Sequence, residues 1–298
     1  MGTTGVSLIV AIVCILYLGM QLIRLRRENR KIAGRIIEVD QMKKTFISHV
    51  SHELKAPLAS MQETTHVLLE EIPGPLTEKQ KRLLSLNLQS GKRLAQMIGN
   101  ILDLSRLEAG IVEYDMQAAD IAGLTHSVVL EVSGKAREKH MRILTNIQQD
   151  PLLVECDPNR IVQVLTNLLE NAVRFSKKEG LIGVEVRTLD QPPRMPQSAR
   201  LSLRAARKTP SAFALIGISD SSPGIDDSQK ETVFHSFHHG KQGKRIHGES
   251  LGLGLAISRA VVEAHHGAIW IEDQPGGGSV FFVLLPATSE KQSMAEAV

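Results

Sequence analysis

Residues 167–175 read NLLENAVRF, the most informative segment for the fold. On a helix, Asn167, Asn171 and Arg174 follow one another at i, i+4 and i+7, so they share one face. The leucines and the alanine between them, with Leu165 just before, form a separate apolar stripe. A helix of this kind packs its apolar stripe on a core and presents its polar stripe to a site. We therefore expect a largely buried helix that borders a binding site.

Apolar and amphipathic segments alternate on both sides of this stretch, which we expect to lie in a helix over residues 158–176. The other expected elements are helices at 124–140 and 253–264 and strands at 142–147, 152–155, 181–187, 214–219, 268–272 and 279–285. This mixture predicts an α+β domain. Residues 190–210 hold four of the twelve prolines, and we expect a loop or an extended hairpin tip there.

The chain before this domain has a different sequence pattern, in which apolar residues recur at helical spacing. They recur at intervals of four and three along residues 54–72, a coiled-coil spacing. Residues 71–75 read EIPGP and should end the helix. A second helix should begin near Thr77, which forms a capping box with Gln80, and run to about Glu108. Two such helices cannot bury both stripes alone, so we expect an antiparallel hairpin that forms a four-helix bundle in a homodimer.

The first residues include an apolar run, Val6 to Ile23, without a charged side chain. About 20 such residues span the hydrocarbon core as a helix, so we expect one transmembrane helix at 6–23. A cleaved signal peptide is the alternative, but it would carry its basic residues before the apolar run. Here the basic residues follow the run, which predicts a single-pass protein of the inner (cytoplasmic) membrane with its catalytic part in the cytoplasm. They are Arg24, Arg26, Arg27, Arg30 and Lys31.

Composition excludes several classes of function. The formal net charge is +3 and aromatic residues make up 3% of the 298 residues, so we expect no nucleic-acid partner. The two cysteines, Cys14 and Cys156, supply neither a disulfide framework nor a cysteine-based zinc site. Histidines, lysines and an arginine crowd residues 235–247. We interpret them as a basic lid rather than a zinc site, because no short pairing of ligand types recurs.

A second informative stretch, residues 46–58, reads FISHVSHELKAPL. It resembles the phosphoacceptor box of the sensor histidine kinases of two-component signal transduction, a His-Glu pair followed by Pro-Leu. The resemblance implies that His52 accepts a phosphoryl group and that Glu53 takes the displaced proton. Because Pro57 lacks an N–H, we expect it to bend the helix near the acceptor turn. Two histidines on a solvated helix face are the alternative, which the motifs downstream disfavour.

Four downstream motifs follow in the order in which this family carries them. They are an asparagine box at 167–175, a first glycine box at 220–225, a phenylalanine box at 233–237 and a second glycine box at 248–257. The resemblance implies an ATP-binding domain of the gyrase, heat-shock and mismatch-repair type. It makes Asn171, with Asn167, the contact to Mg²⁺ and makes Arg174 a contact to phosphate. The other ATP-binding residues that it implies are Phe175, Asp220, Gly224, Phe237, Gly252 and Gly254.

Two serines depart from the family pattern in the glycine boxes. The resemblance implies that Asp220 accepts a hydrogen bond from the adenine amino group, which selects against guanine. Ser222 stands nearby where the family usually has glycine, and Ser250 replaces another glycine in many relatives. A serine at positive φ costs roughly 1–2 kcal/mol, so we expect weakened ATP affinity if Ser222 has that backbone conformation.

The resemblance covers residues 43–286 and implies a multidomain chain. The expected parts are a transmembrane helix (6–23), a juxtamembrane signalling helix (24–40), a dimerisation and histidine phosphotransfer domain (41–110), a linker (111–121), a catalytic ATP-binding domain (122–288) and a tail (289–298). The ATP-binding domain is expected to be an α+β Bergerat-type ATPase sandwich.

The implied function is that of a membrane-anchored histidine kinase. It would autophosphorylate His52 from Mg-ATP and pass the phosphoryl group to an aspartate in the receiver domain of a separate response regulator. A degenerate dimeric scaffold that docks a regulator without phosphotransfer is the alternative, motivated by Ser222 and Ser250. An ATPase without phosphotransfer is a third hypothesis, but it would not need the acceptor hairpin.

Overall fold

The structure is a computed structural model, and it describes residues 53–110, 112–204, 210–236 and 252–287 with three single positions. The expected juxtamembrane helix, the tail, His52 and Phe237 lie outside the described residues, as does the expected transmembrane helix apart from Met20. Within the described part of the chain, no helix has the length and apolar character needed to cross a membrane.

Contacts divide the chain into two compact units. The first comprises residues up to Gly91 with residues 108–111, and the second comprises residues 92–107 with those from Val112 onward. Below, the helical hairpin denotes the helices within residues 53–108, and the α/β unit denotes the described residues from 112 to 287.

The helical hairpin consists of α1, helical over residues 53–69, and α2, Glu78–Glu108, as the spacing predicts. The turn between them includes Gly74 at φ +148°. The Thr77 N–H donates to Gln80 Oε1 at 2.8 Å, and the Gln80 N–H donates to Thr77 Oγ1 at 3.3 Å. The expected capping box is therefore confirmed, and it fixes the start of α2.

The α/β unit follows the expected alternation of helices and strands. Its helices are α3 (Ile121–Glu138), α4 (Pro158–Phe175), α5 (Gln197–Arg204) and α6 (Gly254–Ala264), and its strands are β1 (Gln117–Asp120), β2 (Arg142–Ile147), β3 (Leu153–Cys156), β4 (Leu181–Leu189), β5 (Ala212–Ser219), β6 (Ala268–Asp273) and β7 (Ser279–Ala287). A 3₁₀ turn lies at Thr232–Phe234. Strands β1 and β3 form an antiparallel pair, and the other five form a sheet in the order β2-β4-β5-β7-β6.

Strand β5 is buried along almost its whole length, because both faces of the five-stranded sheet are covered. Ile216 and Ile218 face the main core, which α3, α4 and α6 complete. Phe213 and Leu215 alternate with them and pack on the opposite face with Ala199 of α5. The sheet is therefore the middle layer of the α/β unit.

Two segments differ from the sequence expectation. Residues 190–210 were expected as a loop or an extended tip, but they contain helix α5, whose Ala199 and Leu203 lie four residues apart and join the second core. Tertiary packing stabilises this short helix despite the neighbouring prolines. In the expected linker, β1 pairs with β3, and Asp120 Oδ1 accepts the N–H groups of Ala122 and Leu152. This cap starts α3 earlier than expected.

Candidate functional site

Helix α4 carries the polar stripe that the sequence predicts. Its inner stripe is fully buried, whereas Asn167, Asn171 and Arg174 are half-buried on another face. Phe175 ends the helix and is 41% exposed, with the guanidinium carbon of Arg174 5.3 Å from its ring centre. An arginine that stacks on an aromatic ring keeps its N–H groups at the ring edge, where they can reach an anion.

Asn167 is packed directly against α6. Its Nδ2 donates to Ser258 Oγ at 2.8 Å. Its Oδ1 lies against Gly254, the first residue of α6, so closely that a Cβ built on this glycine would be 2.2 Å from the oxygen. The predicted residues Asn167 and Gly254 are thus brought together, and only glycine fits at position 254 with this amide in place.

Asp220 follows strand β5 and is 3% exposed. Its Oδ1 accepts the N–H groups of Ser222 at 2.9 Å and Ser279 at 3.1 Å, and its own N–H donates to the Ser279 carbonyl at 2.9 Å. Among the described residues, no protein donor meets its Oδ2. One carboxylate oxygen is therefore fixed by the backbone, and the other remains an acceptor for a ligand.

The Asp220 loop is also fastened to the end of α4. The Ser221 N–H donates to Ser176 Oγ at 3.1 Å, and the Lys177 N–H donates to the Ser221 carbonyl at 3.4 Å. Ser176 is the residue that ends α4, directly after Phe175. The asparagine box and the first glycine box therefore meet, although 45 residues separate Ser176 from Ser221.

Ser222 does not have the strained backbone considered above. It is not among the described non-glycine residues with positive φ. Its Oγ accepts the Gly224 N–H at 3.2 Å, while Gly224 itself has φ +87°. The positive φ of this loop thus falls on a glycine, and the strain argument for weakened ATP affinity does not apply to Ser222.

Two family models match the chain. They are the His Kinase A (phospho-acceptor) domain over residues 42–110 and the histidine kinase-, DNA gyrase B- and HSP90-like ATPase over residues 156–289. The chain belongs to the sensor histidine kinases of two-component signalling. This is a family of ATP-dependent histidine kinases, and the match supports ATP binding by the α/β unit.

Curated relatives agree with this membership. The sensor histidine kinase TmoS of Ectopseudomonas mendocina is 30% identical over 259 residues, which cover 87% of this chain and 24% of TmoS. The sensor histidine kinase GlrK of Escherichia coli K12 is 28% identical over 257 residues, covering 86% of this chain and 49% of GlrK. The chain therefore spans at most about half the length of these two relatives.

Solved structures show the same fold. The full-length structure of ShkA, a complex with AMPPNP, has a TM-score of 0.63 at 22% identity and covers 82% of this chain and 46% of ShkA. The histidine kinase AdeS of Acinetobacter baumannii has a TM-score of 0.50 at 20% identity, covering 80% of this chain and 98% of AdeS. A helical phosphoacceptor region followed by an α/β ATPase domain is thus the architecture of the chain, as the motifs imply.

The other predicted residues lie as follows. Gly252 has φ +66° and stands just before α6, as expected for a loop that leads into a helix start. Glu53 is exposed on α1. His52 and Phe237 lie outside the described residues, as do three of the lid histidines, His238, His239 and His247. Among the described residues, no group of acidic, histidine or cysteine side chains has the arrangement of a metal site.

Three residues of this site were not among the expected site residues. Ser258 holds Asn167, and its place on α6 became evident only from the crossing of α4 and α6. Gly278, at φ +112°, lies so close to Asp220 that a Cβ there would be 2.0 Å from its carbonyl oxygen. Ser279 has a fully buried Oγ without a hydrogen-bond partner among the described residues. The run of three glycines before Ser279 was the available signal for the last two.

Proposed function

We propose that the chain is a membrane-anchored sensor histidine kinase that autophosphorylates His52 from Mg-ATP and passes the phosphoryl group to an aspartate of a separate response regulator. The observation that carries this proposal is the state of Asp220. Its carboxylate is buried, its Oδ1 is held by two backbone N–H groups, and its Oδ2 has no described protein donor. Asp220 Oδ2 is thus a buried acceptor without a described donor, and a ligand with an N–H group would satisfy it.

The adenine of ATP fits this acceptor. Its exocyclic amino group donates to Asp220 Oδ2, whereas guanine would direct a carbonyl oxygen at the same atom. Ser279, whose N–H bonds Asp220, has a buried hydroxyl that can bond an ordered water beside the carboxylate. ShkA, which has the same fold, was solved with AMPPNP.

The phosphates would meet the polar face of α4. Arg174 contacts a phosphate, with Phe175 as a neighbouring wall. The half-buried amide of Asn171 offers the kind of oxygen that Mg²⁺ takes as a ligand alongside phosphate and water, so the residues present fit the ion. Bound Mg²⁺ neutralises charge on the triphosphate. Gly252 and Gly254, at the start of α6, allow the backbone N–H groups there to approach the phosphate oxygens.

In the phosphoryl transfer, a ring nitrogen of His52 attacks the γ-phosphorus. The bond between that phosphorus and the β,γ-bridging oxygen breaks, so ADP leaves with the electron pair. Glu53, the next residue, takes the proton that the imidazole ring releases. Positioning and charge neutralisation supply most of the rate enhancement in reactions of this class. Phosphohistidine then transfers its phosphoryl group to the carboxylate of an aspartate in the receiver domain, and the neutral imidazole ring is regenerated.

The proposal includes dimerisation and a membrane anchor. In the single chain, Leu54 and Met61 of the coiled-coil seam are 42% and 62% exposed, whereas Leu58 is buried. A second copy would cover the exposed members in a four-helix bundle. The apolar run at 6–23, followed by basic residues, supports a single-pass inner-membrane anchor with the kinase in the cytoplasm. The scaffold alternative loses one of its two motivations, because Ser222 is not at positive φ. The other, Ser250, lies outside the described residues.

Autophosphorylation of the full chain tests the proposal. The protein is incubated with γ-labelled ATP and Mg²⁺, and label that is labile in acid and stable in base is scored. We expect label in the wild type, none in His52→Gln, and wild-type label in the matched control His49→Gln, three residues earlier in the sequence. Label that persists in His52→Gln, or a wild type that binds nucleotide without becoming labelled, would contradict the assignment.

A further inference from the structure

Ser258 is a polar residue in an otherwise apolar position. It lies in the second turn of α6, is 1% exposed, and has buried neighbours in Ile257 and Val261. Its Oγ accepts a hydrogen bond from Asn167 Nδ2 at 2.8 Å. A buried hydroxyl on a core-facing helix costs desolvation free energy unless it is bonded, so this bond accounts for its placement.

The contact holds the Asn167 amide in place between α4 and α6. A serine hydroxyl can bond either end of an asparagine amide, and here it accepts from the nitrogen end. Ser258 holds the nitrogen end, and the oxygen end then lies against Gly254, one helical turn nearer the start of α6. The amide therefore spans the first turn of α6 and ties it to α4.

We propose that Ser258 is a positioning residue for the nucleotide site, which it serves by clamping the Asn167 amide between α4 and α6. Asn167 then acts as the bridge between the two helices, and the Mg²⁺ contact falls to Asn171, one turn further along α4. This assignment rests on the proposed function, because it concerns the site in which ATP binds. It divides two asparagines of the same motif into two roles.

The division follows from the surroundings of each amide. Asn167 has its nitrogen bonded to Ser258 and its oxygen in close contact with Gly254, so both ends of the amide lie against α6. The structure gives Asn171 no such partner among the described residues. As a bridge, Asn167 determines where the start of α6 lies relative to the polar face of α4. It therefore affects the affinity for the nucleotide whether or not Mg²⁺ is bound. A metal contact acts only when Mg²⁺ is bound.

Binding of a fluorescent ATP analogue to the full chain, in Mg²⁺ and in EDTA, separates the two roles. We expect Ser258→Ala to weaken binding about threefold to tenfold in both conditions, as for loss of one buried hydrogen bond. Asn167→Ala should do the same, and the double variant should lose little more than either single variant. Asn171→Ala should weaken binding in Mg²⁺ and leave binding in EDTA unchanged.

Two further variants guard against a purely structural explanation. Ser258→Thr keeps the hydroxyl and should retain the wild-type affinity. Ser133→Ala removes a helical serine hydroxyl from α3, where it bonds the Val129 carbonyl at 2.6 Å, and should leave affinity unchanged. Melting temperatures are recorded for every variant, so that a loss of fold is distinguished from a loss of affinity.

Each outcome of these binding measurements either supports or overturns the role proposed for Ser258. The inference is overturned if Ser258→Ala binds like the wild type, if its loss occurs only in Mg²⁺, or if the losses of Ser258→Ala and Asn167→Ala add in full. A folded wild type that binds no nucleotide in either condition would instead overturn the proposed function, and the inference with it. Equal losses with and without Mg²⁺, combined with a non-additive double variant, establish the clamp.

Discussion

The helical hairpin and the α/β unit differ in how far their large apolar side chains are buried. In the α/β unit, residues such as Leu168 and Ile216 are completely buried within one chain. In the helical hairpin and the turn between its helices, several large apolar side chains remain exposed, although Leu58 is buried. Those at least 40% exposed are Leu54, Met61, Ile72, Leu83, Leu86, Leu94 and Ile101. The core of the α/β unit is thus closed within one chain, with Leu104 of α2 as a member, whereas the hairpin presents an apolar surface that suits a second copy.

The largest effect expected from this difference is on stability. Ile216→Ala leaves a cavity in the central strand, and we expect the free energy of unfolding of the α/β unit to fall by about 2–5 kcal/mol. The chain has one tryptophan, Trp270, which is 3% exposed in the second core. Its fluorescence during urea denaturation therefore reports on the α/β unit.

The matched variant in the hairpin is Leu83→Ala. Leu83 is 59% exposed in the single chain, so its truncation should leave the Trp270 transition where it is. A shift as large as that of Ile216→Ala would mean that the two regions do not differ in the way described.

The second prediction concerns association. Leu83→Glu places a charge on the exposed apolar surface of the hairpin, and a dimer that buries this position loses about 1–3 kcal/mol from the desolvation of the new polar group. The dissociation constant of the proposed full-chain dimer should therefore rise about tenfold or more, as measured by sedimentation. Leu201→Glu is the control, because Leu201 is 58% exposed on α5 of the α/β unit. Equal weakening by both variants would place the dimer contact elsewhere.

The sequence predicted the features that depend on local spacing, and it missed those that depend on contacts between distant segments. Periodicity predicted α2, α4 and most strands because local spacing reflects the face that each element buries. Helix α5 was missed because its partners, such as Phe213 and Trp270, come from distant strands. The Asn167 to Ser258 contact joins residues 91 positions apart and depends on how α4 crosses α6. No motif carries that information, and the same holds for the backbone conformation of Ser222.

A smaller, pH-dependent effect is expected in the α/β unit. His265 is 2% exposed. Its Nε2 accepts the Asp157 N–H at 2.9 Å. Its Nδ1 therefore carries the proton, and it donates to the Val261 carbonyl at 2.7 Å. Burial lowers the pKa of His265, although the Val261 carbonyl and Asp157 oppose the shift. The neutral ring is thus favoured in the folded state. Its contribution to stability is complete above the ordinary histidine pKa of about 6.5 and declines as the pH falls toward the lowered pKa.

Urea denaturation at a series of pH values checks this direction. The free energy of unfolding should fall between pH 7.5 and pH 5.5, and part of that fall should vanish in His265→Gln. His126→Gln, at an exposed position on α3, should keep the wild-type pH dependence. An unchanged pH dependence in His265→Gln would show that other groups account for it.

The smallest effect is expected at the start of α2. Thr77→Ala removes the hydroxyl that accepts the Gln80 N–H at 3.3 Å, but the backbone N–H of residue 77 still donates to Gln80 Oε1. Half of the capping box survives, so we expect a cost of about 0.5 kcal/mol, at the low end for a cap. Asp120 of the α/β unit offers the contrast, because its carboxylate accepts three backbone N–H groups, including that of Leu152 in another segment.

Hydrogen exchange distinguishes the two caps. In Thr77→Ala, amide exchange should accelerate only in the first turn of α2, because the exposed cap joins no second element. In Asp120→Ala, faster exchange should extend to β1 and β3, since Asp120 lies on β1 and Leu152 directly precedes β3. If Thr77→Ala accelerated exchange across the whole hairpin, the capping box would control cooperative folding of both helices rather than the fraying of one.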